Sequence, residues 1–482
     1  MGIGSLRDYY REPSVRRRIA EYCGGSPEDP EGFSCVYLVR YGIGEKGDPA
    51  VSEPHASVEK KRFAEILEAG GDILRSLWDR ASLLGILDIE YVNRDYPAEI
   101  FFQPAEVFSR MEPLYRTIRR SFGAYGIEPL TILTGQGYHF VFRVGKDSPA
   151  FSLLAASGSA SGRLIEWGNR FAERFGRSFS FPEAAAYETL GRLFEILLHR
   201  ILREYDSAPL EGTARLPTVP TDVAVGRVSP NGHREAVSLD LSLFGDPLPR
   251  RATRCPFSVY QKHRVLWEKY GERAGRELPL PVLLPRCAKS LLQELLAARV
   301  DWNRAVVLAQ ESSVAIPDAS PSILGWHKDY ENSPLAQVHR RMEENPIRPR
   351  PSLGALPPCV LHCLREPNPH LLKPTNLQTL TRVLLACGWE PSEIAELVRT
   401  RYEEDYGWGD LWDKYEAATR ARFYVRLFSG LVLTGTDREI DLNCISHQEK
   451  GYCWQPFCGF NLADYRGKGT NGTRALDGGA LL

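Results

Sequence analysis

An α+β fold, with a unit of strands and helices followed by a mainly helical one, is the expectation from three features of this sequence. Apolar residues alternate over 86–92, 131–142 and 236–244; they recur at helical spacing over 104–124; and a compact helical pattern begins near "PPCVLHCL" at 357–364. At 482 residues the chain exceeds one ordinary core, so two or three domains are expected. The boundaries are drawn at 1–305 for the first domain, 306–350 for a Pro-rich linker, 351–466 for the helical domain and 467–482 for a disordered tail.

The elements follow in chain order. "SCVYLVRYG" reads as a strand. The stretch 53–84 shows helical spacing broken by Gly70 and Gly71, which predicts two helical pieces. In "ILDIEYV", Ile86, Asp88 and Glu90 alternate with Leu87, Ile89 and Tyr91, so both carboxylates share one face of a strand. A helix over roughly 104–124 leads to "TILTGQGYHFVF", a strand and hairpin in which Gly135 and Gly137 imply a close approach of backbone to backbone or to a ligand. The order strand, helix, strand allows Asp88, Glu90 and His139 to meet in one cleft. "SLLAASGSASG" at 152–162 reads as a small-residue loop before helices over 164–206, and "AVSLDLSLF" as a strand carrying Asp240.

Composition narrows the function classes. A net charge of −1 with 25% charged residues gives no global basic signature, so nucleic-acid contact would rest on local clusters such as "VRRR" at 15–18, "RRATR" at 250–254 and "HRRMEENPIRPRP" at 339–351. No stretch has the length of a membrane-spanning helix, and "MGIGSLRDYYREP" lacks the apolar core of a signal peptide, which sets a cytoplasmic expectation. Ten cysteines without a secretion signal point away from a disulfide framework and toward metal or cluster ligation for some of them.

Two carboxylates on one strand face can share a divalent cation, and a third from another strand, Asp240, would complete a site for two ions. Two-ion sites suit nucleotidyl transfer, in which a 3′-hydroxyl is activated and a triphosphate is clamped. Small residues before His139 allow a backbone to near a phosphate, to which the imidazole could donate. Behind Asp240, Arg250, Arg251, Arg254, Lys262 and His263 crowd together, and guanidinium groups match phosphate oxygens in a fork. A solvated strand face, a satisfied histidine and a basic surface loop are the plain structural alternatives.

In this order, "LDIEYV", "TGQGYHFVF" and "SLDLSLFGDPLPRRATRCPFSVYQK" resemble the three motifs of the archaeo-eukaryotic primase superfamily. The resemblance spans about residues 30–290 and implies a primase-type catalytic domain with an RRM-like mixed sheet. It implies Asp88, Glu90 and Asp240 as catalytic ligands of Mg²⁺ or Mn²⁺, with Asp246 as an alternative third ligand. Thr134, Gly135, Gly137, His139, Arg254, Ser258 and Lys262 would bind the nucleotide. The implied activity is template-directed nucleotidyl transfer from NTPs or dNTPs on single-stranded DNA, with a helicase or other replication proteins as partners and no membrane. A metal-dependent nuclease and a catalytically silent nucleic-acid-binding subunit are the rival readings.

A second stretch, "PPCVLHCLREPNPHLLKPTNLQTLTRVLLACGWEPSEIAELV" followed by "DLNCISHQEKGYCWQPFC", is similar to the iron-sulfur domain of the large primase subunit. That similarity implies a 4Fe-4S cluster on Cys359, Cys444, Cys453 and Cys458, with Cys363 as a substitute, zinc as the rival metal, and Arg382 and His370 as phosphate contacts. Cys387, in "RVLLACGW", reads as a buried core residue.

Overall fold

The computed structural model describes residues 3–42, 55–208, 215–221, 228–266, 277–287, 289–344, 353, 356–365, 369–404, 415–439 and 441–467. The expected tail at 467–482 lies outside them except for its first residue. The chain is mixed α+β and divides into two units. One comprises Met1–Gly191, Glu211–Leu216 and Leu248–Leu324; the other comprises Arg192–Leu210, Pro217–Pro247 and Gly325–Leu482.

In the first unit, strands β1 (Leu38–Tyr41), β2 (His55–Val58), β3 (Asp72–Ser76) and β9 (Ala252–Arg254) form an antiparallel sheet in the order β2-β1-β3-β9. A second antiparallel set runs β10 (Leu284–Pro285), β5 (Leu130–Leu133), β6 (Gly137–Gly145), β4 (Ser82–Asn93). Beyond Ile86, β4 alternates as expected: Leu87, Ile89 and Tyr91 are buried, whereas Asp88 and Glu90 are partly exposed. The helix Pro104–Gly123 starts on a proline at its first position, where no intrahelical N–H is lost. Its buried stripe, Val107, Phe108, Met111, Leu114, Tyr115, Ile118 and Phe122, follows the helical period, and its rings meet Tyr138 and Phe140 of β6. Each such side chain contributes about 1.5–3 kcal/mol on burial, so this face anchors the strand that carries His139.

Three expectations change. The stretch 53–84 is not two helices, because only Phe63–Glu68 is α-helical, Gly70 stops it with φ +70°, and Asp72–Ser76 continues as β3. All five β3 residues are buried, so the run shows no alternation to reveal a strand. "SLLAAS" belongs to the helix Pro149–Ser157, capped by the Ser148 hydroxyl on the Phe151 N–H. The expected linker at 306–350 is largely helical over its described residues, with helices Trp302–Glu311, Ser320–Glu331 and Pro334–Glu344. Pro321 and Pro334 sit in first helical turns, where proline is compatible with a helix.

In the second unit, β7 (Thr218–Pro220) pairs in parallel with β8 (Glu235–Asp240), and a short 3-10 turn, Ser242–Gly245, replaces the expected extension of the strand to 244. The helix Ala417–Leu433 packs against Pro391–Glu403 and Pro374–Ala386, with Phe423, Tyr424, Leu427, Phe428 and Leu431 buried. Its buried cations are matched: Arg426 donates twice to Glu195, and Arg420 donates to Asp246 at 3.0 Å.

Candidate active site and cysteine centre

The register of β4 on β6 assembles the first constellation. Asp88 faces His139 and Glu90 faces Gly137. That pairing requires the glycine: a Cβ on Gly137 would lie 1.9 Å from the Ile89 carbonyl oxygen. A Cβ on Gly135 would lie 2.6 Å from the Tyr260 ring. The Thr134 hydroxyl accepts from the Gly137 N–H at 3.0 Å, and the Gly135 carbonyl accepts from Arg299 at 3.1 Å. The space beside both glycines is therefore filled by the protein itself, by backbone at one and an aromatic ring at the other, rather than left open for a phosphate.

His139 Nε2 lies 3.4 Å from Asp88 Oδ1, and its Nδ1 lies 3.4 Å from the Thr253 hydroxyl. The approach to Asp88 is an ion-pair distance without hydrogen-bond alignment, so Oδ1 is a buried oxygen with no hydrogen-bond partner. Burial pushes the Asp88 carboxyl up, but the His139 ring, then Lys262 and Arg254, outweigh it and hold the group below its ordinary value. The Lys262 ammonium donates to both oxygens of Glu90, at 3.0 and 3.2 Å.

Asp72, which the helical reading of 53–84 concealed, organises the basic segment. Its fully buried carboxylate accepts from Arg254 Nε at 2.7 Å and from the Ser258 hydroxyl at 3.2 Å. Burial pushes its carboxyl up, and Arg254 pulls it back only in part. The guanidinium is packed between Tyr41 and Tyr260, 5.0 and 4.9 Å from the ring centroids. Arg254 and Ser258 thus hold an internal carboxylate in this structure, while Arg254 still acts on Asp88 through its charge. The signal available in the sequence was a carboxylate directly after a Gly-Gly break and before a short apolar run.

Asp240 lies in the second unit at the end of β8, where its carboxylate accepts from the Ser242 N–H at 2.7 Å and the Ser242 hydroxyl at 3.0 Å. Asp246 is buried against Arg420, which commits its charge.

In the C-terminal helices, Cys359 is the second residue of Pro358–Arg365 and Cys444 opens Cys444–Glu449. Among the described residues, no three His, Cys, Asp or Glu side chains are disposed as ligands of one ion. Two observations nevertheless link cysteines of the motif to one another. Burial first, then the charges of Cys453 and Cys444, push the Cys359 thiol up to about 12. Cys444 and Cys458 both point at the Phe460 carbonyl, at 3.8 and 4.0 Å. The donor chemistry therefore fits a thiolate-bound group on Cys359, Cys444, Cys453 and Cys458. Cys363 turns instead to the Cys359 carbonyl at 3.3 Å, and only Cys359 among the cysteines acts on it. Cys387 is exposed at the end of Pro374–Ala386, not a core residue.

The two further phosphate candidates differ. Arg382 is buried and held by Asp437 at 2.6 Å and Asp441 at 2.9 Å, so its forks are occupied. His370 lies against Tyr452 and His362, and His362 stacks on Trp454 at 3.8 Å.

No helix among the described residues is long and apolar enough to cross a membrane. Comparison of the chain with models of known protein families, with curated proteins and with solved structures finds no match.

Proposed function

We propose that the chain is a primase-polymerase that joins nucleotides on a single-stranded DNA template. The observation that carries the reading is the Asp88 carboxylate facing His139, its buried Oδ1 without an aligned hydrogen bond, with the charges of Lys262 and Arg254 acting on the same group. A carboxylate kept ionised and left with a vacant lone pair suits a hard cation, and at Glu90 the Lys262 ammonium already stands where positive charge is accepted. Asp88, Glu90 and, from the motif, Asp240 would hold Mg²⁺ or Mn²⁺, whose chemistry is to lower the pKa of a 3′-hydroxyl and neutralise a triphosphate. His139 would donate to a phosphate oxygen, and Lys262 would exchange Glu90 for the triphosphate as the nucleotide enters. Arg254, packed on two tyrosines, supplies charge from a fixed position. The C-terminal cysteines would hold a 4Fe-4S cluster, with zinc as the alternative, in a domain that engages the template or the initiating nucleotide.

Primer synthesis on single-stranded DNA with labelled NTPs and dNTPs, in Mg²⁺ and in Mn²⁺, tests the proposal. Labelled oligomers from the native chain that vanish in Asp88→Ala are expected. Absence of product from anaerobically purified protein overturns the reading, and magnesium-dependent cutting of DNA without nucleotide incorporation assigns a nuclease instead.

A further inference from the structure

A cavity of about 690 Å³ in the first unit, none of whose lining residues belongs to the Asp88 site, is lined in part by Trp78, Asp79, Arg80, Lys146, Arg177 and Glu183. Its two acids are already matched: Asp79 accepts from the buried Arg75, and Glu183 accepts from Lys146. Two cations of the wall, Arg80 and Arg177, remain, and Lys60 lies behind Arg80. Arg80 donates only to backbone carbonyls, those of Glu31, Gly32 and Phe33. The largely buried Lys60 donates to two of the same carbonyls, Glu31 at 2.6 Å and Phe33 at 3.1 Å. Arg177 is exposed, and among the described residues none of Lys60, Arg80 and Arg177 forms an ion pair with a carboxylate.

Like charges gathered on shared carbonyls repel one another. Burial pushes the Lys60 ammonium down, and Arg80 and Arg177 push it further, while Glu31 opposes them without forming an ion pair. An arrangement that costs the folded chain electrostatically is offset when an anion enters. Arginine forks and the Ser178 hydroxyl on the same wall are donors for a tetrahedral oxyanion, whereas the Ser180 hydroxyl already donates to Glu183 at 2.8 Å. The Trp78 ring is 2% exposed and its Nε1 donates to Glu183, so the wall offers donors but no face for stacking a base.

We propose that this cavity is a phosphoanion site, formed by Arg80 and Arg177 with Lys60 behind them. The favoured source is the backbone phosphate of a nucleic-acid strand, because a phosphate needs no stacking surface; a free nucleotide is the other source. The test measures binding of the full-length chain to fluorescent oligo-dT and to labelled ATP, both without divalent ions, across a salt series. The strand source predicts that Arg177→Glu weakens oligo-dT at least about tenfold and lowers the slope of log affinity on log salt by about 0.7 for each phosphate no longer neutralised. Arg177→Lys should retain most of the affinity, and Arg80→Gln should weaken it. Loss confined to ATP assigns the free nucleotide as the source. Unchanged affinity for both probes in Arg177→Glu and Arg80→Gln, with circular dichroism showing both variants folded, overturns the proposal. Because the readout is binding without catalysis, it stands apart from primer synthesis, and Asp88→Ala is expected to keep the Arg177-dependent component.

Discussion

The imidazole of His139 stands opposite Asp88 across the β4–β6 ladder, its Nε2 3.4 Å from a carboxylate oxygen that has no hydrogen-bond partner. The His139 charge is the largest of the influences that hold the Asp88 carboxyl below its ordinary value. His139→Ala should therefore destabilise the chain by about 1–3 kcal/mol, since it leaves a half-buried carboxylate with one favourable partner fewer. Asp88→Asn combined with His139→Ala should recover part of that loss. A double-mutant cycle in urea reads the coupling, and strict additivity of the two changes would contradict it.

Asp72 and Arg254 form the more costly pair to break. Asp72→Asn leaves the guanidinium among Tyr41, Tyr260 and a neutral amide, and should cost about 3–5 kcal/mol in urea unfolding. It should also reduce nucleotide incorporation by displacing a charge that acts on Asp88. A stable variant with a native denaturation midpoint would show that the pair is dispensable.

Gly137→Ala should be worse tolerated than Gly135→Ala. The first meets a carbonyl oxygen of the paired strand at 1.9 Å, which cannot rotate away, whereas the second meets an aromatic ring at 2.6 Å. Losses of about 3 kcal/mol or more and about 1–3 kcal/mol are expected, read by thermal melting.

Metal content separates the cysteines. Serine at Cys359, Cys444, Cys453 or Cys458 should each deplete bound iron in anaerobically purified protein, whereas Cys363→Ser and Cys387→Ser should retain it. Elemental analysis that finds stoichiometric zinc instead of iron would assign the other thiolate-bound metal.

Acid should loosen the second unit through two histidines. Burial pushes His199 down to about 3 and His447 down to about 4. Both rings stay neutral when folded but protonate near pH 6.5 in the unfolded chain, so the stability they permit is complete above pH 6.5. It declines as pH falls from there toward the folded values, by up to about 1.4 kcal/mol per pH unit for each ring. His199→Gln should flatten the decline between about pH 6 and pH 4 in urea midpoints; an unchanged slope would show that His199 does not contribute.

The legible parts of the sequence were those with a period. The alternation around Asp88 and Glu90 and the stripe of Pro104–Gly123 could be read directly, and with them the placement of His139 on a paired strand. The strand that carries Asp72 could not, because it is short and buried on both faces. Helices after residue 302 were concealed by prolines that signal a linker in isolation but sit in first turns here. The occupation of Arg382 by Asp437 and Asp441 joins residues far apart in the chain, which no local pattern reports.

The bond between Asp72 and Arg254 joins positions 182 residues apart. On a ribosome adding about 5–20 residues per second, β3 must wait about ten seconds or more after its own synthesis for β9 to emerge. During that interval its outer edge is unpaired and its carboxylate lacks the cation that matches it. The growing chain is therefore vulnerable to misassociation between the emergence of β3 and that of β9, and shortening it before residue 254 should yield aggregates rather than a smaller folded protein.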